Sequence, residues 1–266
     1  MMLAAASGLS TAQILLKGRE QIPPAVVEKL MSYVARRAER EPIQHILQEA
    51  FFMGLRFDVG PAVLVPRPET ECLVEEAVKI IGANFGGQAR ILDIGAGSGA
   101  ISVSLLKLSP KSVVTAVEVS PAAAAVCLAN AEAHQVADRL TLITADFLAE
   151  AGHPGGFNGG QKYDIFVSNP PYIQKDLIDS LDAEVKNYEP HLALVGLDDD
   201  GLGFYRAFAR SLPALAEEPG AYILCEFGLG QGEEIALIFA RSNWQGVSLL
   251  PDLSGRPRML MARSPK

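Results

Sequence analysis

Arg90-Ile-Leu-Asp-Ile-Gly-Ala-Gly-Ser-Gly99, running on into Ala100-Ile-Ser-Val-Ser-Leu-Leu-Lys-Leu108, is the stretch that decides the fold. Arg90 to Ile94 is a short apolar strand, and Ala100 to Leu108 has helical character. The Gly-rich turn between them lets the backbone bend sharply at Gly95 and Gly97 and approach a ligand with no Cβ in the way. The helix start behind it offers free N–H groups. About twenty residues further on, Glu118 stands at the end of a second strand, where a carboxylate can accept both hydroxyls of a ribose. Gly95, Ala96, Gly97, Ser98 and Gly99 with Glu118 therefore read as a nucleoside site. The turn alone is ambiguous, because Gly95, Gly97 and Ala100 also satisfy the dinucleotide fingerprint of a nicotinamide oxidoreductase.

Outward from this turn, strands and helices alternate. Strands are expected at Val113 to Val119, Leu140 to Ala145, Tyr163 to Ser168 and Ala221 to Glu226. Helices are expected at Glu69 to Ile81, from Pro121, and at Gln231 to Arg241. Val247 to Leu250 and Met259 to Ala262 form a terminal hairpin. This order implies an α/β fold, a mostly parallel sheet covered by helices on both faces. The Gly-rich stretch 152–160 reads as a mobile surface loop. Asp146 and Phe147 follow the third strand, beside the first two loops, where an acid and a ring can embrace an adenine; by itself Asp146 is a helix cap. Upstream, residues 1–48 read as a small helical domain, with helices at Ser10 to Lys17 and Pro24 to Glu39 and a short segment opened by Pro42. Residues 49–66 link it, through a hairpin over Phe51 to Leu64, to the main domain at 67–266.

Asn169-Pro-Pro-Tyr172 follows the fourth strand, at the carboxyl edge where open α/β sheets place ligands. Two prolines stiffen the backbone and remove two donors. What remains is a row of acceptors, the Asn169 side-chain oxygen and the Pro170 carbonyl, which suits the two hydrogens of a planar NH₂ group. Tyr172 can supply a flat face for a planar group. An amide nitrogen is a poor nucleophile because its lone pair is delocalised. Holding both N–H bonds out of the amide plane favours a pyramidal nitrogen whose lone pair can point at a sulfonium methyl. Positioning in a water-poor pocket then supplies much of the rate. An oxidoreductase leaves this tetrapeptide unexplained.

At this point the chain resembles the HemK/PrmC family of release factor glutamine methyltransferases. The resemblance includes Val65-Pro-Arg-Pro-Glu-Thr-Glu71, Glu184-Val, Glu189-Pro-His-Leu-Ala-Leu194, Asp200-Gly201, Tyr205-Arg206, Glu226-Phe-Gly228, Gln231 and Asp252-Leu-Ser-Gly-Arg-Pro-Arg258, and covers residues 40 to the end. It implies a Rossmann-like class I fold, a seven-stranded sheet with the last strand antiparallel, and S-adenosyl-L-methionine as cofactor. The substrate implied is the glutamine of the Gly-Gly-Gln tip of peptide chain release factors. Gly95 to Gly99, Glu118, Phe147 and Asn169 would bind the cofactor, with Asp146 beside them. Asn169, Pro170, Pro171 and Tyr172 would bind the glutamine amide, with Asn169, Pro170 and Tyr172 carrying catalysis. Arg67 and Glu71 would order a lid, or form a surface ion pair at a helix start. Three departures stand out. Glu118 occupies a position more often Asp, Phe227 one usually aliphatic, and Gln48 one commonly Gly. The family's helical domain usually begins further upstream, so a first helix is expected to be missing.

Composition narrows the classes further. The chain has 266 residues, 49% of them hydrophobic, and a net charge of −8. The acidic balance argues against naked nucleic acid as a partner. With Pro66-Arg-Pro-Glu-Thr-Glu71 it also argues against one rival, an adenine amino-methyltransferase; a second, a ribosomal-protein glutamine methyltransferase, is closer and is set apart by the sequence that follows Pro66-Arg-Pro68. A non-catalytic cofactor-binding adaptor is the third. Cys72, Cys127 and Cys225 are far apart and lie in apolar stretches, which fits reduced thiols in a cytoplasmic protein. No signal peptide or membrane span is expected, and a monomer is. No metal site is expected. His45, His134, His153 and His191 are scattered, with solvated or helix-end positions as the default. Asp198-Asp-Asp200 before Gly201 reads as a capped turn rather than a calcium loop. Trp244 reads as a packing residue.

Overall fold

The computed structural model describes residues 1–150, 159–217 and 220–265. The expected loop 152–160 lies outside the described residues except for Gly159 and Gly160, which sit in a turn, and so does His153.

Four helices come first: α1 (Met2–Ser7), α2 (Thr11–Leu16), α3 (Pro24–Ala38) and α4 (Ile43–Leu47). α1 was not among the expected helices, although its alanines and the left-handed Gly8 that ends it are helix signals. α2 opens with a capping box, in which Ser10 and Gln13 satisfy each other's backbone N–H groups. α3 starts with Pro24 at its first turn. The apolar positions of α3 do not make a core: none of its residues is buried, and Val27 and Val34 are exposed. Gln48 caps α4 in the left-handed region, at φ 56°. That conformation costs a glycine nothing, which explains a preference for Gly there.

The hairpin is shorter than expected, β1 (Glu49–Phe52) with β2 (Leu55–Asp58). Then follow α5 (Pro68–Asn84), β3 (Arg90–Ile94), α6 (Ala100–Leu108), β4 (Val113–Glu118), α7 (Pro121–Ala133), β5 (Leu140–Thr144), α8 (Phe147–Glu150), β6 (Ile165–Ser168), α9 (Ala183–Tyr188), α10 (Gly203–Ser211), β7 (Tyr222–Glu226), α11 (Gly232–Arg241), β8 (Gln245–Pro251) and β9 (Pro257–Arg263). α9 and α10 were not anticipated.

The main sheet has the order β5-β4-β3-β6-β7-β9-β8. β3 through β7 pair in parallel, and β9 runs antiparallel to both its neighbours. The expected seven strands with an antiparallel last strand are therefore present. β3 beyond Arg90 and the whole of β6 are buried because helices cover both faces. On one face Leu73, Ile81, Val103, Leu105 and Cys127 pack from α5, α6 and α7. On the other, Tyr205, Phe208, Ile235 and Phe239 pack from α10 and α11 with Trp244. Each such aliphatic or aromatic side chain contributes roughly 1.5–3 kcal/mol. Trp244 is the packing residue expected, its indole N–H donating to the Ala209 carbonyl at 3.0 Å. The strand order reverses between β3 and β6, and the crevice at their carboxyl ends is where such a sheet takes a ligand.

Candidate active site

At the end of β3 the backbone turns through Gly95 and Gly97, with φ 79° and 55°. A Cβ at either would meet nothing within 4 Å and would project into open space. That space is a cavity of about 280 Å³ which Gly95, Ala96, Gly97 and Ser98 help to line. Glu118 is buried at the end of β4. Its carboxylate accepts the Gly97 N–H at 2.9 Å with one oxygen and the Ser120 N–H at 2.9 Å with the other. The two bonds orient the carboxylate and stiffen the turn, and each oxygen keeps a lone pair for a ligand. Gly99 does not line the cavity. A Cβ there would stand 2.8 Å from the Cys127 sulfur, so this glycine lets α6 pack closely on α7.

Asp146 and Phe147 line the same cavity. An Asp146 oxygen accepts the Leu148 N–H at 2.9 Å, so it also caps α8. Phe147 is buried and meets Phe208 edge-on, with ring centroids 5.8 Å apart. Phe204 and Phe208 of α10 complete this apolar end of the cavity. They were missed in the sequence, though their spacing of four marks one helix face.

β6, the neighbour of β3, delivers the tetrapeptide to the same cavity. The Ser168 hydroxyl donates to the Ile94 carbonyl at 2.7 Å and locks β6 to β3. Asn169, Pro170 and Pro171 line the cavity. Tyr172 is not among its lining residues. The Tyr172 hydroxyl donates to Glu226 at 3.5 Å and accepts from Arg258 at 3.2 Å, and the Arg258 guanidinium lies 5.7 Å from the ring centroid. Burial pushes the Tyr172 phenol above its ordinary value. The Tyr172 carbonyl accepts from the Gln231 side chain at 2.9 Å, and the Gln231 oxygen accepts the Gly228 N–H at 2.8 Å. Behind Asn169 lies a chain of polar contacts. The Asn169 amide donates to the Thr70 hydroxyl at 3.2 Å, and that hydroxyl donates to Glu226 at 2.5 Å. Burial pushes the Glu226 carboxyl up, while the Thr70 hydroxyl and the Arg258 charge pull it down.

Arg67 stands at the start of α5, lines the cavity and pairs with the buried Glu189, whose other oxygen accepts the Val65 N–H at 3.2 Å. Burial pushes the Glu189 carboxyl up, and Arg67 opposes this. Glu71 accepts the Met53 N–H of the hairpin turn at 2.6 Å. The two residues thus tie different segments to α5 and do not pair with each other. Asp198 and Asp200 pair with Arg206, and Asp200 accepts the Leu202 N–H at 3.0 Å, the capped turn expected. His45 takes the helix-end alternative of the default, but is not solvated there. It sits buried in the last turn of α4, and burial lowers its pKa. Among the described residues no group of three or more His, Cys, Asp or Glu could hold a metal ion, and no helix is long and apolar enough to cross a membrane.

The sheet order and the crevice define a class I methyltransferase fold. A solved methyltransferase from Pyrococcus furiosus shares it, with a TM-score of 0.57 at 15% identity over 87% of this chain and 99% of that one. Residues 48–185 match the methyltransferase small domain, and residues 1–47 match the PrmC N-terminal domain. The release factor glutamine methyltransferase of Cereibacter sphaeroides is 40% identical over 264 residues, covering 99% of this chain and 89% of that protein. That of Geobacter sulfurreducens is 38% identical, covering 98% and 87%. The chain belongs to the release factor glutamine methyltransferase family.

Proposed function

We propose that this chain transfers a methyl group from S-adenosyl-L-methionine to the side-chain amide nitrogen of the glutamine in the Gly-Gly-Gln tip of peptide chain release factors. The observation that carries the reading is that one cavity is lined both by Gly95 to Ser98 with Glu118 and by Asn169-Pro170-Pro171.

The residues fit such a cofactor. Open space above Gly95 and Gly97 admits a ligand against the backbone, and the fixed Glu118 carboxylate has lone pairs free for two ribose hydroxyls. Asp146, Phe147 and Phe208 supply the acid and rings for an adenine. When bound, S-adenosylmethionine supplies a methyl already activated by its sulfonium charge. On the substrate side, the Asn169 oxygen and the Pro170 carbonyl accept the two amide hydrogens and turn the nitrogen lone pair toward the methyl. Apolar walls exclude water; with in-line placement the nitrogen would take the methyl, leaving the sulfur as a neutral thioether, and one amide proton would be released to solvent. Tyr172 anchors the tetrapeptide through its hydroxyl and carbonyl rather than through a face turned to the cavity. The helices of residues 1–48 serve as the docking domain for the remainder of the release factor, and the domain ends where the hairpin begins.

The test is methyl transfer from labelled S-adenosylmethionine to an intact release factor, to a short Gly-Gly-Gln peptide and to adenine-containing DNA, followed by mass spectrometry. Label on the factor's glutamine is expected, with much weaker labelling of the peptide because remote contacts drive positioning. Efficient adenine labelling with none on the factor would overturn the reading.

A further inference from the structure

Three side chains beside the acceptor row perform no step assigned above: Thr70 on α5, buried at the cavity wall, Glu226, buried at the end of β7, and the half-buried Arg258 on β9. We propose that Thr70 and Glu226 are positioning residues that set which end of the Asn169 side-chain amide faces the substrate. The inference rests on the amide-methylation reading and deepens it.

The argument is a count of protons. An asparagine amide is nearly symmetric in shape, and its two ends differ only in what they can bond. An oxygen facing the cavity accepts a substrate N–H, whereas an NH₂ facing it would oppose one donor with another. A rotation of the amide by half a turn therefore converts a productive site into a repulsive one without changing its shape. Something must choose between the two, and the prolines that follow Asn169 cannot.

Thr70 can. Its hydroxyl has one proton. Glu226 takes that proton at 2.5 Å, because an ionised carboxylate has only acceptors to offer. Arg258 at 3.4 Å favours the ionised form. The Tyr172 hydroxyl at 3.5 Å points a second donor at the same carboxylate. With its proton committed, the Thr70 oxygen can only accept, and the group beside it is the Asn169 amide nitrogen at 3.2 Å. The NH₂ end of Asn169 is thereby held toward α5, and the oxygen is left for the cavity. The direction of every bond in the relay follows from the carboxylate at its far end. Thr70 and Glu226 are almost completely enclosed, at 5% and 2% exposure, so water has little access to replace either partner. The relay also joins α5, β6 and β7, elements far apart in sequence, so the orientation is specified only in the folded protein.

The test uses the full chain with an intact release factor and S-adenosylmethionine. Thr70→Val keeps the shape and removes the hydroxyl; Thr70→Ser keeps the hydroxyl. The valine variant is expected to lose at least thirtyfold in kcat, with KM for the release factor and cofactor Kd within threefold of the parent. The serine variant is expected to regain all but about fivefold. A further measurement separates positioning from general support. In an Asn169→Ala background Thr70→Val should add little further loss, because it acts through a group already removed. If the valine variant does not fold, Thr70→Ala carries the same expectations. The proposal is overturned if the hydroxyl-free variant keeps kcat within threefold, if its loss lies in cofactor affinity, if serine does not rescue, or if the losses at Thr70 and Asn169 multiply. Failure of the parent protein to methylate the glutamine would instead overturn the amide reading itself.

Discussion

Replacing Glu118 with Ala tests the cofactor wall most directly, and the structure changes what that test should show. The carboxylate does more than wait for a ribose. It accepts the Gly97 and Ser120 N–H groups at 2.9 Å each while buried. A hydrogen bond to a charged group is worth about 1.5–3 kcal/mol, so losing two removes about 3–6 kcal/mol as an upper range. Water entering from the cavity will restore part of this, and the lower end is the better expectation. For a chain of this size about 3 kcal/mol corresponds to a fall in Tm of roughly 6–12 °C. Two lost ribose contacts at the same per-bond value weaken cofactor binding by about a hundredfold or more, since about 1.4 kcal/mol is tenfold. Glu118→Gln, which keeps one acceptor, should fall between the variant and the parent in both measures. The assays are thermal unfolding without ligand and calorimetric titration with S-adenosylmethionine. An alanine variant with unchanged Tm and unchanged affinity would refute both the role in the turn and the role in binding.

Asn169→Ala should leave Tm within a few degrees and lower kcat on a release factor by on the order of 10²–10³, the usual loss when one preorganised polar partner is removed; near-normal turnover would defeat the acceptor-row mechanism. Gly97→Ala and Gly99→Ala should separate by mechanism. The first places a methyl in the cavity and weakens cofactor binding, with about 1–2 kcal/mol of backbone strain. The second drives a methyl against Cys127 and adds about 1–3 kcal/mol of overpacking, so its Tm should fall further. Asp93 is fully buried, with one oxygen bonded to the Ser102 hydroxyl and the other without a hydrogen-bond partner among the described residues, and burial raises its pKa to about 7. A carboxyl whose folded pKa is raised contributes stability at low pH and loses it as pH rises from about 4 to about 7. Asp93→Asn should therefore gain on the parent across that window in denaturant titrations, and parallel pH curves would contradict the assignment.

The strand-turn-helix at 90–108 was legible because its signals are local. An apolar run, glycines that must take positive φ and a helix start all lie within one stretch of chain. β3 falls at the residues its apolar run predicts, and the parallel strands depart by a residue or two at their ends. The tetrapeptide was legible for the same reason, since prolines act on their own backbone. The less accurate readings have physical causes. α3 has helical spacing yet buries none of its residues, so periodicity gave its existence and not its packing. The hairpin was drawn too long because Val59, Val63 and Val65 are buried without pairing as strands. His45 stands at a helix end, one of its two default positions, but its burial was not legible because burial is a property of its neighbours in space.

By itself, then, the sequence determined the order of elements, the class of sheet and the two turns to which the proposed chemistry is assigned, all of which depend on backbone preference and short-range pattern. Only the tertiary structure decided how those turns are used. It packed Gly99 against Cys127, and set Phe204 and Phe208 on the cavity that Glu118 also lines. It placed Tyr172 behind the acceptor row, and brought Thr70 and Glu226, 156 residues apart, to hydrogen-bond distance. The physical reason is that a hydrogen bond or a steric contact is fixed by distance in space, and that distance exists only once the sheet has brought β3, β6 and β7 together under α5.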